Sequence, residues 1–133
     1  MIPQIIKLYL ISVPVFFAID LLWLGVVARS FYVKYLGEML KSPPNWTAAV
    51  IFYLLFLLGL VVFVIEPAVA KDSLKYALFM GAFFGFITYM TYDLTNLATL
   101  KNWPIEIVIV DIIWGAVLSM SVSAVTFYLF KIF

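Results

Sequence analysis

The stretch TYDLTNLATLKNWP, residues 91–104, joins two long apolar segments and places acidic, amide and hydroxyl side chains at their junction. The 133-residue chain is 67% hydrophobic and 11% charged, whereas an ordinary globular domain has about 25% charged residues. This composition predicts an integral membrane protein. The quoted stretch is then the end of one spanning helix, a short turn and the start of the next.

Four apolar windows are long enough to cross the hydrocarbon of a bilayer, which takes about 20 residues of helix. They cover residues 6–28, 46–66, 75–99 and 104–130 of a chain whose length predicts one domain, residues 1–133. Because the last two connections are short, their helices must be antiparallel neighbours. The predicted fold class is all-α, a four-helix transmembrane bundle.

The longer connection between the first two spans has its own helical pattern. Over residues 29–41, apolar side chains recur at helical spacing and charged ones lie opposite. This pattern predicts an amphipathic helix in the membrane interface, ended by Pro43 and Pro44. Trp46 and Trp103 then fall at the same membrane face, as an aromatic belt predicts.

The residue types that are missing exclude several chemistries. The chain has no cysteine and no histidine, which removes thiolate nucleophiles, disulfides, haem ligation and His-rich metal sites. We therefore expect no cofactor and no resident metal. A net charge of +1 gives no argument for nucleic acid. The expected partners are membrane lipids and a small or amphiphilic ligand.

The basic residues do not decide the orientation in the membrane. Four lie on each side, Lys7, Lys71, Lys75 and Lys131 with the termini, and Arg29, Lys34, Lys41 and Lys101 opposite. The positive-inside rule therefore gives no orientation. This balance also allows dual insertion and, with it, a homodimer.

Three aspartates lie inside the spans, where a carboxylate is costly and indicates a functional site. Asp20, Asp93 and Asp111 lie eight to ten residues from Arg29 or Lys101, which is about 12–15 Å inside the same face at the helical rise. Without a basic partner at that depth, the three cannot all remain ionised. At least one is protonated or a cation lies among them, so the cluster predicts a proton- or cation-responsive site.

The neighbours of these acids complete the candidate site. Trp23 shares a helix face with Asp20, and Trp114 with Asp111, so we expect an indole N–H donor beside each acid. We predict ligand or proton binding by Asp20, Asp93, Asp111, Asn96, Tyr89, Tyr92, Thr95, Trp23 and Trp114. The alternative is that these groups only hydrogen-bond the helices together.

Glycines predict where helices approach closely. Gly81 and Gly85 lie one turn apart on the third span, and Gly115 begins a small-residue stripe on the fourth. Small side chains of this kind let membrane helices approach closely.

The motifs FFAIDLLWLG (16–25), FY (31–32), TYDLTNLATLKNWP (91–104) and VDIIWG (110–115) together resemble a bacterial family of predicted membrane proteins, catalogued as domain of unknown function 2177. The resemblance covers essentially the whole chain. It implies a four-span fold and the bacterial cytoplasmic (inner) membrane, and it implies no activity. The family signature falls on Asp20, Trp23, Gly25, Tyr92, Asp93, Thr95, Asn96, Trp103, Pro104, Asp111, Trp114 and Gly115.

Three functions are compatible with the sequence. We favour a protein that binds and translocates a small or amphiphilic ligand with proton or cation coupling, in a cavity open toward Trp46 and Trp103 and partly roofed by residues 29–41. The second is a membrane-embedded enzyme that modifies a lipid or isoprenoid with paired aspartates as acid and base. The third is a non-catalytic accessory subunit. The sequence assigns no catalytic residue.

Overall fold

A computed structural model describes residues 2–40 and 44–133, which form helices joined by turns without a strand. The helices are α1 (Ile2–Val27), α2 (Arg29–Leu36), α3 (Trp46–Ala70), α4 (Leu74–Thr99) and α5 (Ile105–Ile132). All except α2 are long and apolar enough to cross a membrane. The predicted fold class, a four-helix transmembrane bundle with a shorter helix between the first two spans, is therefore confirmed.

Three helices differ from the sequence prediction by four or more residues at one end. Helix α1 begins at Ile2 rather than at residue 6. The third helix continues to Ala70 through a π-helical turn at Val61–Ile65. In contrast, α2 ends at Leu36, and a short 3₁₀ turn follows at Gly37–Met39. Glycine lowers helix stability by about 1 kcal/mol relative to alanine. Gly37, directly after Leu36, therefore accounts for the end of α2 before the predicted residue 41. Residue 41 and Pro43 lie outside the described residues.

Local side chains set the ends of the helices. The Asn45 side chain accepts a hydrogen bond from the backbone N–H of Ala48 at 3.1 Å and so caps α3. Ser73 caps α4 in the same way through Tyr76 at 3.0 Å. Capping satisfies N–H groups that have no partner within the helix. Helices α3 and α4 therefore begin at defined residues directly after their turns, whereas α5 begins after Pro104 without a side-chain cap.

The two tight turns both need a left-handed residue. Asp72 has a φ of 50° in the turn before α4, and Asn102 has a φ of 61° in the turn before α5. Asp and Asn tolerate this conformation better than other non-glycine residues because their short polar side chains can hydrogen-bond locally. Each turn can therefore be short, and α4 runs antiparallel to both α3 and α5.

The closest helix pair is α4 with α5, and glycine makes the approach possible. A Cβ atom added at Gly85 would overlap the carbonyl oxygen of Gly115, and one added at Gly115 would overlap the ring of Tyr89. At Gly81 an added Cβ would lie 2.8 Å from the Ser123 hydroxyl. The close-packing stripe predicted from the sequence is present.

The interior of the bundle has two different halves. A buried apolar cluster occupies the half that carries the chain termini, with Leu8 and Phe16 of α1 packed near Leu57, Leu60 and Leu118. Large apolar side chains cover the outside of the bundle, as in Phe63 and Phe79, each 67% exposed. Such a surface suits hydrocarbon rather than water. The three aspartates of the spans, Asp20, Asp93 and Asp111, lie in the other half.

Candidate functional site

A cavity of about 380 Å³ lies in the half of the bundle away from the termini. All five helices contribute to its walls, including α2, which reaches in from the interface. From α1 to α3 the lining residues are Asp20, Trp23, Leu24, Tyr32, Leu36, Ala49, Phe52 and Tyr53. From α4, α5 and the turn between them they are Thr88, Tyr89, Tyr92, Trp103, Ile107, Asp111 and Trp114.

Asp111 is held by a hydrogen-bonded chain from two other helices. The Tyr32 hydroxyl of α2 donates to Asp111 Oδ1 at 2.8 Å. In turn the Trp23 indole nitrogen of α1 donates to the Tyr32 hydroxyl at 3.3 Å. Burial, and then the neighbouring charge of Asp111, raise the pKa of Tyr32 above its ordinary value. The Tyr32 phenol is therefore kept as a donor to the carboxylate.

Asp20 has a different donor. It is 4% exposed, and the indole nitrogen of Trp114 donates to its Oδ1 at 3.2 Å. Tyr53 faces it from α3. An indole N–H therefore donates to this acid, as the sequence predicts, and it comes from Trp114 of α5 rather than from the tryptophan of the acid's own helix.

The two indoles meet between the acids. Trp23 and Trp114 stack with ring centroids 4.3 Å apart and an interplanar angle of 6°. Their N–H groups are then directed toward groups of different helices, Tyr32 and Asp20. The stack joins α1 to α5 and forms one rigid wall of the cavity.

Asp93 lies behind the cavity and does not line it. The side chain is fully buried and faces Asp111 and Trp103. Within residues 2–40 and 44–133, neither Asp93 oxygen accepts a hydrogen bond, and the buried indole nitrogen of Trp103 has no acceptor either. A buried carboxyl without a donor is costly when ionised. Asp93 is thus the least satisfied polar group beside the cavity.

The structure brings six of the nine predicted site residues into one cavity. Those six are Asp20, Trp23, Tyr89, Tyr92, Asp111 and Trp114. Of the others, Asn96 is half-buried next to Tyr92. Thr95 is exposed, and its hydroxyl bonds the backbone carbonyl of Thr91. Thr95 therefore does not contribute to the cavity.

Some lining residues were not among the predicted set. Tyr32 is the most important, since it bonds Asp111; Thr88, Tyr53 and Trp103 are others. The tyrosine of the adjacent FY pair at residues 31–32 was a usable signal because a buried tyrosine hydroxyl usually finds a hydrogen-bond partner. The neighbour that Tyr32 would meet could not be read from the sequence.

The charged side chains that line the cavity are acidic. Two carboxyls line it and, among the described residues, no Lys or Arg does. The ion pair found in the part of the chain that the structure describes joins Lys131 to Asp72, at the far end of the bundle. No three acidic side chains in these residues come close enough together to share one metal ion. Asp111 instead has both Asp93 and Asp20 as electrostatic neighbours.

The fold and this site define a class: a small multi-pass α-helical membrane protein with an acid-containing cavity within the depth of its spans. The chain matches the family described as predicted membrane protein (DUF2177) over residues 5–128. It therefore belongs to that family. No curated protein and no solved structure matches the chain.

Proposed function

We propose that this protein binds a small amphiphilic molecule in the cavity and carries it across the membrane, with a proton exchanged at Asp93 and Asp111. One observation carries the proposal: Asp20 and Asp111 face a cavity of about 380 Å³ whose other walls are mainly apolar and aromatic. Ligand pockets typically measure about 300–1,000 Å³ and combine apolar walls with a few polar groups. The cavity suits a molecule with one polar end.

The carboxyl pair supplies the link to protons. Asp111 reaches the cavity, and Asp93 lies behind it against Asp111. Two adjacent carboxyls in a poorly solvated site cannot both be ionised without a counter-charge. A ligand that interacts with Asp111 changes the electrostatic potential at Asp93, and the pair then releases or takes up a proton.

The cavity can be filled without touching a polar group. Ala49 lines it from α3, whereas the preceding Ala48 is exposed on the same helix. Ala49→Phe places a ring in the cavity, and Ala48→Phe places the same ring outside. The probe is N-phenyl-1-naphthylamine, an apolar fluorophore with one polar N–H, added to the protein in lipid nanodiscs. Energy transfer from the stacked indoles reports occupation of the cavity.

The two variants give opposite expectations. Wild type and Ala48→Phe should show saturable energy transfer above that of the dye in lipid alone, and Ala49→Phe should lose it. Equal transfer in all three proteins would mean that the dye lies in lipid and that the cavity binds nothing of this kind. Thermal unfolding of both variants checks that each is folded.

A second candidate is an enzyme that modifies a lipid or isoprenoid. The observation that favours it is the unequal pair of cavity acids, since Tyr32 donates to Asp111 and Trp114 donates to Asp20. Carboxyls in different environments can divide the roles of general acid and general base. Mass spectrometry of lipids from cells with wild type or Asp111→Asn distinguishes the candidates, because a changed lipid species favours the enzyme and altered uptake alone favours transport.

A further inference from the structure

The walls of the cavity are mostly aromatic. Eight of its fifteen lining residues carry an aromatic ring. The stacked pair Trp23 and Trp114 forms one wall, and Tyr92 meets Trp103 edge to face at 6.0 Å on another. Aromatic faces carry negative electrostatic potential and attract cations within about 6 Å of the ring centroid.

The polar groups of the cavity have the same electrostatic preference. Asp20 and Asp111 supply negative charge, and no basic side chain among the described residues lines the walls to neutralise it. The basic residues of α2, Arg29 and Lys34, are exposed and are not part of the lining. An anionic head group would meet two carboxyls and aromatic faces, which both repel it.

We propose that the ligand of this cavity is an organic cation, an amine or quaternary ammonium attached to an apolar body, held by the aromatic rings and paired with Asp20 and Asp111. This inference rests on the proposed function and names the ligand class of the same site. Aromatic cages with acidic residues suit quaternary ammonium groups because the charge is spread over an apolar surface. Hard inorganic cations instead prefer several oxygen ligands.

The hydrogen bonds of the acids leave room for such a ligand. The bonds that the structure contains end on Oδ1 of Asp20 and on Oδ1 of Asp111. Among the described residues the second oxygen of each carboxyl accepts none of these bonds, and we expect it to face the bound cation. The donors that hold the first oxygens, Trp114 and Tyr32, fix the orientation of both carboxyls in advance, and preorganisation of this kind lowers the cost of binding.

The test compares two probes of nearly equal shape and opposite charge. Tetraphenylphosphonium and tetraphenylborate are offered to the full chain in lipid nanodiscs, together with the neutral triphenylmethanol, and binding is measured by equilibrium dialysis. Empty nanodiscs correct for partition into lipid, and sodium chloride competition separates an organic from an inorganic cation site. The variants are Asp20→Asn and Asp111→Asn. Glu106→Gln is the matched control because Glu106 is exposed and lies outside the cavity on the same helix as Asp111.

Saturable binding of tetraphenylphosphonium, weakened at least about tenfold by either Asp→Asn change and unaffected by Glu106→Gln, is the expected result. Binding of the borate or of triphenylmethanol in preference to the phosphonium would overturn the cation assignment and leave the proposed function standing. Absence of saturable binding for all three probes would overturn both. Phosphonium binding that sodium displaces at millimolar concentration would assign the site to inorganic cations. Thermal unfolding of each variant separates misfolding from loss of charge. Trp114→Phe changes a wall of the cavity but keeps an aromatic face and both carboxyls, so phosphonium binding to this variant shows whether a change in the wall alone weakens binding.

Discussion

Replacing Gly85 by alanine tests how closely α4 and α5 approach. The added Cβ would overlap the Gly115 carbonyl oxygen and crowd the Ser119 hydroxyl. Overpacking costs about 1–3 kcal/mol, and the upper end applies because a backbone atom cannot rotate away. Alanine recovers about 1 kcal/mol of helix propensity, so a net destabilisation of about 2 kcal/mol is expected.

The matched control is Gly25→Ala in α1, because no atom of residues 2–40 and 44–133 lies within 4 Å of a Cβ added there. That variant should be neutral or gain up to about 1 kcal/mol. The free energies of unfolding of the two variants should therefore differ by about 3 kcal/mol. Titration with sodium dodecyl sulfate from dodecyl maltoside micelles, followed by tryptophan fluorescence, measures the difference.

A consequence for the site follows from the same substitution. Gly85 lies one turn before Tyr89, which lines the cavity and packs on Gly115. If α4 moves away from α5, Tyr89 moves with it, and probe binding should weaken together with stability. Equal stability of Gly85→Ala and Gly25→Ala would refute the close approach and, with it, the geometry of the cavity wall.

Three further predictions concern single side chains. Burial raises the pKa of Tyr32, so its stabilising contribution is complete below pH about 10 and is lost as the pH rises above that unfolded-state value. Thermal unfolding between about pH 9 and 11.5 should therefore show a smaller loss of stability for Tyr32→Phe than for wild type. An equal loss of stability in the two proteins contradicts this. Trp114→Phe should abolish exciton coupling in the near-UV circular dichroism, whereas Trp46→Phe, at an exposed residue, should keep it; coupling that survives in Trp114→Phe excludes the stack. Asp93→Asn should remain folded, since its carboxyl has no hydrogen-bond partner to lose among the described residues, and should abolish proton release on phosphonium binding in weak buffer; undiminished release would exclude Asp93 as the proton donor.

The spans could be predicted because the hydrocarbon thickness fixes their length. Their ends could not, since the structure extends α1 back to Ile2 and continues the third helix to Ala70 through Pro67. Proline is tolerated there because it follows a π-helical turn and lies in the first turn of the segment that continues the helix. The interfacial helix was predicted with its correct start at residue 29 and ended too late.

Counting residues from the rim was enough to bring Asp20 and Asp111 to one cavity. It could not separate Asp93, which has the same depth and is turned toward the neighbouring helix. Thr95 was predicted as a site residue, but its hydroxyl bonds the carbonyl of Thr91 in its own helix. A threonine hydroxyl in a helix can bond the carbonyl one turn earlier, so the presence of a threonine carries little information about a site.

The crossed pairing of acids and indoles follows from the opposite directions of α1 and α5. In each helix the tryptophan follows the aspartate by three residues, about 4.5 Å along the axis. A register that puts Trp114 level with Asp20 therefore puts Trp23 level with Asp111, and the two rings stack between the acids. Trp114 reaches its acid directly.

Trp23 does not reach Asp111 directly, because the Tyr32 hydroxyl lies between them and relays the hydrogen bond. The two acid motifs, DLLW at 20–23 and DIIW at 111–114, are nearly the same, yet their carboxyls have different donors. The difference comes from α2, which contributes Tyr32 to one acid and nothing to the other. The short helix α2 thus makes the two ends of the cavity chemically distinct.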